Sequence, residues 1–294
     1  MKSFLIATVA LFLSCLSASQ NKSIDIAENS EAFKSYWYGG KAELNRYELS
    51  QSRYGEQRTG EAVLVFVSED FLLGKQVKYE YGAKENIAPV IKMNASRKFF
   101  TGLYPYSIMT SVFTPVDSRP TPKLSCSVQE WCGHTYMQIN RTKNKYRVTG
   151  HSYFQSEGDE SYSIECTTLE DEIRNLIRID PKTLPLGELR ITPSVLSSRL
   201  EHRKMNPERA SASLKELSEG ISVYSIKYLN TRRELDISFE TAFPHKIVSW
   251  REVSANGGIT TAKLTSSIKS DYWNKRFNSD MEWRDSLGLK TRYH

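Results

Sequence analysis

The 294-residue chain reads as mainly β, with one or two helices. Three observations predict this class. Short β-branched and aromatic runs recur along nearly its whole length, and clusters of Gly, Asn, Asp and Pro separate them. Only one stretch carries clear helical periodicity.

Long antiparallel meanders need a buried face or closure, because open edges invite aggregation. The expected architecture is therefore a large curved antiparallel sheet or an incomplete barrel, lipoprotein-carrier-like in shape, wrapped on a short helix. Such a shape offers a concave face where other barrels hold apolar ligands.

Before the first strand, Met1-Lys2-Ser3 leads into the apolar run Phe4–Leu13 and the small-residue stretch Ser14–Gln20. One positive charge, about ten apolar residues and small residues at the end make the three regions of a secretion signal, expected to span residues 1–19. The run is too short for an anchor, since crossing a bilayer takes roughly 20 apolar residues. Two processing routes remain open. Ser17-Ala18-Ser19 suits general cleavage, whereas Phe12-Leu13-Ser14-Cys15 approximates a lipobox, which would leave Cys15 acylated. The expected location is outside the cytoplasm, in the periplasm or at the outer membrane. Contact with a membrane would come only through a lipid on Cys15. Residues 20–32 read as a polar linker, and 33–294 as a single β-rich domain. Residues 168–185 are the one place where two halves could divide.

The strands follow in order. Ala42–Tyr54 alternates, with Leu44, Arg46 and Glu48 opposed to Tyr47 and Leu49; Arg58-Thr59-Gly60 then leads into the apolar run Glu61–Val67. Further strands are expected at Gln76–Tyr81, Val90–Phe100 and Tyr106–Pro115. Lys123–Asn140 and Lys145–Gln155 read as a hairpin turning at Arg141–Asn144, followed by Ser161–Thr167. The helix is predicted over Thr168–Ile179. Glu170, Asp171 and Glu172 complement its N-terminal dipole, Leu169, Ile173, Leu176 and Ile177 share one face, and Asp180-Pro181 ends it. Strands resume at Gly187–Leu200 (interrupted by Pro193), Ala210–Leu217, Ser222–Leu229, Glu234–Glu240, Lys246–Val253 and Ile259–Ile268. The end, from Asp271 to Leu289, reads as irregular or helical.

The Lys123–Gln155 hairpin carries the chemistry worth weighing. Pairing about its predicted turn sets Ile139 opposite Tyr146 and Cys132 opposite Tyr153. Trp131, Met137, Ile139, Tyr146, Val148 and Phe154 then share an apolar face. Glu130, Cys132, His134, Tyr136, Arg147, His151 and Tyr153 share the other. A thiol, two imidazoles and a carboxylate are the ingredients of a cysteine nucleophile with its base. Activated thiols favour helix N-termini, however, and Cys132 lies on a strand in this reading. The alternatives are a structural polar face, a disulfide involving Cys132 or Cys166, or a metal held by His134, His151 and Glu130. No metal is expected, because close Cys pairs of zinc-site spacing are absent from the sequence. No cofactor is expected either, because G-x-G-x-x-G and phosphate-loop patterns are missing too. The acidic turn of Glu157, Asp159 and Glu160 reads as solvated. Tyr36, Trp37, Tyr104, Tyr106 and Trp131 are candidates for lining a ligand site.

Lys and Arg number 40 against 34 Asp and Glu, a net charge of +6 that is interleaved rather than blocked, which argues against nucleic acid. Beyond Cys15, Cys126, Cys132 and Cys166 allow one disulfide in an oxidising compartment.

Tyr36–Glu43, Arg53–Glu56, Thr101–Ser107, Ser127–His134, Ser152–Phe154 and Arg284–Leu289 resemble blocks of an exported family from Bacteroidetes. Its members are often labelled septum formation inhibitor Maf. The S-x-S-P-R-R-type segment of the Maf pyrophosphatases is missing from this sequence, so the resemblance implies an envelope protein and carries over no catalytic residue. The expected function is a non-catalytic envelope scaffold binding an apolar ligand or an envelope partner. The alternative is an envelope hydrolase or transferase using Cys132 with His134 or His151.

Overall fold

The computed structural model describes residues 30–117 and 119–289, so the expected export segment and Cys15 lie outside the described residues. A short helix α1 (Glu31–Trp37) precedes β1 (Ala42–Arg53), β2 (Glu56–Leu72), β3 (Val77–Lys78), β4 (Ile87–Thr101) and β5 (Tyr104–Pro115). Next come β6 (Lys123–Glu130), β7 (Gly133–Thr142), β8 (Lys145–Ser152), β9 (Glu160–Glu165), β10 (Thr168–Leu169) and α2 (Ile173–Ile179). The second half holds β11 (Gly187–Thr192), α3 (Val195–Leu200), β12 (Glu208–Glu216), β13 (Ile221–Tyr228), β14 (Glu234–Glu240), β15 (Ile247–Val253), β16 (Ile259–Ser270) and α4 (Glu282–Ser286).

All these strands join one sheet, ordered β10-β11-β12-β13-β14-β15-β16-β1-β2-β4-β5-β6-β7-β8-β9, with β3 paired to β2 alone. Neighbouring strands run antiparallel throughout, except the short β10–β11 pair. The two ends of this path, β9 and β10, are consecutive in the chain, so the sheet curls until its ends meet. Among the described residues no backbone ladder joins them. Side chains bridge the seam instead: Arg190 pairs with Glu165, the Thr167 and Thr192 hydroxyls meet at 2.8 Å, and the Met205 N–H donates to the Tyr162 hydroxyl at 3.0 Å. The fold is the expected large curved sheet, an incomplete barrel with an open seam.

Strand alternation sets what points inward. On β1, Tyr47 and Leu49 are buried as their pattern predicts, but so are Glu43, Asn45 and Gln51 on the same face. The β1–β2 hairpin turns at Tyr54-Gly55, both at positive φ (55° and 77°), as a two-residue loop of this hand requires. Gly60 is therefore a strand residue and not part of a turn. It lies so close to β4 that a Cβ there would sit 2.3 Å from the Lys98 carbonyl oxygen.

Five expectations need correction. Lys123–Asn140 is not one strand: the chain reverses at Trp131-Cys132, and β6 pairs with β7. The following turn holds only Lys143-Asn144, so Ile139 faces Val148 and Arg141 faces Tyr146. A two-residue shift keeps Met137, Ile139, Tyr146 and Val148 on one face and His134, Tyr136, Arg147 and His151 on the other, but the reversal takes Trp131 and Cys132 to the tip and puts Glu130 in phase with Val128. The stretch after Pro193 is a helix, α3, because Ser194 caps it by accepting from the Leu196 N–H at 3.2 Å. Cys126, Cys132 and Cys166 are all free thiols, and the expected disulfide is not formed. Finally, the predicted helix begins later, at Ile173, and is no amphipathic cover. Arg174, Asn175 and Arg178 are buried along with Ile173 and Ile177, so α2 runs inside the barrel. Asn175 fixes it there by donating to the Ile91 carbonyl (3.0 Å) and the Thr114 hydroxyl (2.9 Å).

Candidate functional site

The hairpin chemistry resolves first. Cys132 is an exposed turn residue, and its N–H is bonded by the Glu130 carboxylate at 2.8 Å. Hydrogen bonding of the thiol to Glu130 raises its pKa, a little burial adds to this, and the thiolate is disfavoured. His134, Tyr136 and His151 do share the outer face, with Tyr136 directly across from His151. His151 is turned to Asp159, 3.3 Å away, with both side chains exposed. Among the described residues no hydrogen bond links the Cys132 thiol to an imidazole. No group of three or more His, Cys, Asp or Glu is placed to hold a metal ion there. The acids of the turn after β8 diverge: Glu157 goes to Arg199 (3.0 Å), Asp159 to His151 and Glu160 to Lys204 (3.8 Å).

The aromatic candidates divide. Trp37 is buried against Phe66, and Tyr36 hydrogen-bonds Glu43 while the Lys269 ammonium sits 3.7 Å over its ring. Both fasten α1 to the barrel end. Tyr106 is buried, stacked on Phe99 at 4.8 Å, and its hydroxyl meets that of Tyr54 at 2.9 Å. Tyr104 lies beside it, 5.9 Å between ring centres. Trp131 is 68% exposed at the β6–β7 tip and lines a shallow notch with Pro105 and His134.

The interior is charged. Glu252 on β15 receives two bonds from Arg97 (2.9 and 2.5 Å) and one from Arg174 (3.2 Å). Burial works against its ionisation, but the Arg97 and Arg174 guanidiniums hold its pKa down at about 2. Glu170 is clamped by Arg233 and by the Tyr228 hydroxyl (2.5 Å). Fully buried Arg178 pairs with Glu43 (2.5 Å) and lies against both the Trp37 and Phe66 rings. Asp171 accepts from the Val195 N–H and the Ser194 hydroxyl, both at 2.8 Å, tying α2 to α3. Burial outweighs those bonds and pushes its pKa up to about 6.

Two of the cavities that adjoin this plug among the described residues bear on function. The larger, about 510 Å³, lies beside the seam, where the β5–β6 loop meets α2 and the link from β9 to β10. Pro115, Val116, Pro120, Leu176, Ile179 and Pro185 supply its apolar wall, with Cys166 and Thr168 at the seam. Its one carboxylate, Glu172, is turned to the Leu169 N–H (3.0 Å), and burial raises its pKa. The second, about 360 Å³, opens at the opposite end among the β1–β2 turn, the β15–β16 turn and α3, and is polar.

No family model and no curated protein matches the chain. Among solved structures it is similar to a beta-barrel-like protein of domain of unknown function DUF1849 from Brucella abortus. Identity is 8% and the TM-score 0.46, over 78% of this chain and 98% of that one.

Sequence reasoning passed over Arg53, Arg97, Arg233, Glu252 and the residues of α3. A signal was present for two of them. Arg97 shares the strand phase of buried Met93 and Phe99, and Glu252 shares that of Trp250. A charge on the apolar phase of a strand marks an inward-facing polar group.

Proposed function

We propose that the protein is a non-catalytic exported scaffold of the cell envelope that holds an apolar ligand, of acyl-chain character, in the cavity beside the seam. The observation that carries this reading is that cavity. At about 510 Å³ it falls within the ordinary size of ligand sites, its wall is mostly apolar, and it adjoins the one place where the sheet is not closed by backbone bonds. A seam held by side chains opens at lower cost than a ladder of main-chain bonds, which gives a long ligand an entry path. The signal-like N-terminus supports the envelope location. The raised thiol of Cys132, without an imidazole bonded to it, argues against the hydrolase or transferase alternative.

The test is native mass spectrometry of protein purified from its own host without detergent, followed by lipid extraction. A bound mass that extracts into organic solvent is expected, and Leu176→Trp, which fills the cavity, should abolish it. A chain of bare mass in both forms, or a bound lipid indifferent to Leu176→Trp, would overturn the reading.

A further inference from the structure

The polar cavity at the end away from the seam cavity is built around arginines whose hydrogen-bonding capacity is incompletely used. Arg97 is fully engaged by Glu252 and adds a 3.3 Å bond to Gln51. Arg233, 3% exposed, gives one terminal nitrogen to Glu170 and the other to the Ser197 hydroxyl at 2.7 Å. Its Nε is buried with no partner. Among the described residues Arg53 has no carboxylate partner. It bonds the Leu200 carbonyl (2.7 Å) and the hydroxyls of Tyr54 (3.3 Å) and Tyr106 (3.4 Å), and its Nε too is buried and unpartnered. Both Nε atoms are shielded from the cavity, so what the cavity meets is the rest of the Arg53 guanidinium, which is held by neutral acceptors alone.

The charge balance points the same way. Arg53, Arg97 and Arg233 line this cavity, with Glu252 and Glu201 as its carboxylates. Glu252 is shared by Arg97 and Arg174, and Glu170 is taken by Arg233. Asp171 faces the α3 N-terminus. Glu201, on the rim, accepts from the Ala255 N–H (2.9 Å) and lies 3.6 Å from Arg203. Among the described residues Arg53 is left without a paired carboxylate. The Thr260 hydroxyl accepts from the Gln51 amide (3.0 Å) and the Ser52 N–H (3.1 Å), and the Ser197 hydroxyl accepts from Arg233, so both retain a hydrogen to donate. The lining thus offers hydroxyl donors beside Arg53, its Glu252 carboxylate is taken up by Arg97 and Arg174, and exposed Tyr54 stands at its mouth.

We infer that this cavity binds the anionic oxygens of a small ligand, a carboxylate or a phosphate on a unit about the size of one sugar, with Arg53 as its principal donor. The volume, about 360 Å³, admits such a unit and not a polymer segment threaded lengthwise. The site is independent of the seam cavity and of what that cavity holds.

The test is isothermal titration calorimetry of the full mature chain at constant ionic strength with four probes: inorganic phosphate, glucose 6-phosphate, glucuronate and glucose. Saturable binding of at least one anionic probe is expected, at least tenfold tighter than glucose, and comparing the phosphate and carboxylate arms identifies the group. Arg53→Gln should weaken that binding tenfold or more. Arg53 is only half-buried, and the unliganded melting curve of the variant establishes that it folds. Thr260→Val gives a second, milder loss of about threefold at a site that leaves every arginine in place. No saturable binding of any anion, equal binding of glucose, or unchanged binding in Arg53→Gln would each overturn the inference.

Discussion

Replacing Glu252 by Gln should expose how strongly the charged plug depends on a single carboxylate. The side chain keeps its shape but loses its charge, leaving Arg97 and Arg174 facing each other without a counter-ion. Breaking a buried pair by removing one partner costs about 3–5 kcal/mol. The titration gives a second measure. The carboxyl falls from an ordinary 4.5 to about 2 in the fold, and at about 1.4 kcal/mol per pH unit that gap corresponds to roughly 3 kcal/mol. Because the folded value is the lower one, this stability is fully present above pH 4.5 and is lost as pH falls toward 2. Urea denaturation of wild type and variant from pH 7 down to pH 2 measures both quantities. The expected result is a loss of about 3–5 kcal/mol at pH 7, with the acid slope between pH 4.5 and 2 correspondingly reduced. A loss under about 1 kcal/mol with the wild-type acid slope intact would refute the reasoning, since it would mean the guanidiniums are solvated rather than paired.

Three further outcomes are expected. Asp171 titrates in the opposite sense: its folded value, about 6, lies above the ordinary 3.8, so charging it destabilises the fold by about 3 kcal/mol as pH rises from 4 to 7. Asp171→Asn should flatten denaturant stability over that window, and an unchanged slope would exclude the burial argument. Cys132 should react with iodoacetamide at a rate still climbing above pH 9, because Glu130 raises its pKa, while Cys126, buried and pushed up to about 12, stays unlabelled in the native state. Rapid labelling of Cys132 at pH 6 would reinstate a nucleophile. Arg178→Met should cost about 3–5 kcal/mol by leaving Glu43 buried and unpaired. It should also speed proteolysis within α1, read by limited digestion and mass mapping, and a variant as resistant as wild type would contradict the anchoring role.

The sheet was legible in the sequence because period-two alternation and turn residues are local signals. β1, β4, β5 and the strands from β12 to β16 fall within a few residues of their predicted limits. Errors arose where a turn lacked its usual residues. Trp131-Cys132 reverses the chain without the Asn or Asp that ordinarily announces a two-residue hairpin, so β6 and β7 read as one strand. The polar plug was hidden for a different reason. An Arg or Glu on a strand is read as solvent-facing, and only the distant partner, such as Glu252 for Arg97, makes burial affordable. Glu170 and Asp171 suggested dipole complementation at a helix start, when in the fold they are the buried ligands of Arg233 and of the α3 N-terminus. The candidate thiol and imidazoles were read onto one hairpin, whereas Cys132 sits at the β6–β7 tip and His151 on β8, one hairpin further along. Arg53 was noted only as part of a block of resemblance, since nothing local distinguishes it from any arginine beside a turn.

The scaffold reading meets its most direct test in a crystal structure of the protein purified from its own host, without detergent or delipidation. Continuous, unbranched density lying against Val116, Leu176 and Ile179 beside the seam is the expected result. Ordered water alone filling that cavity, or side chains collapsed into it, would contradict the account.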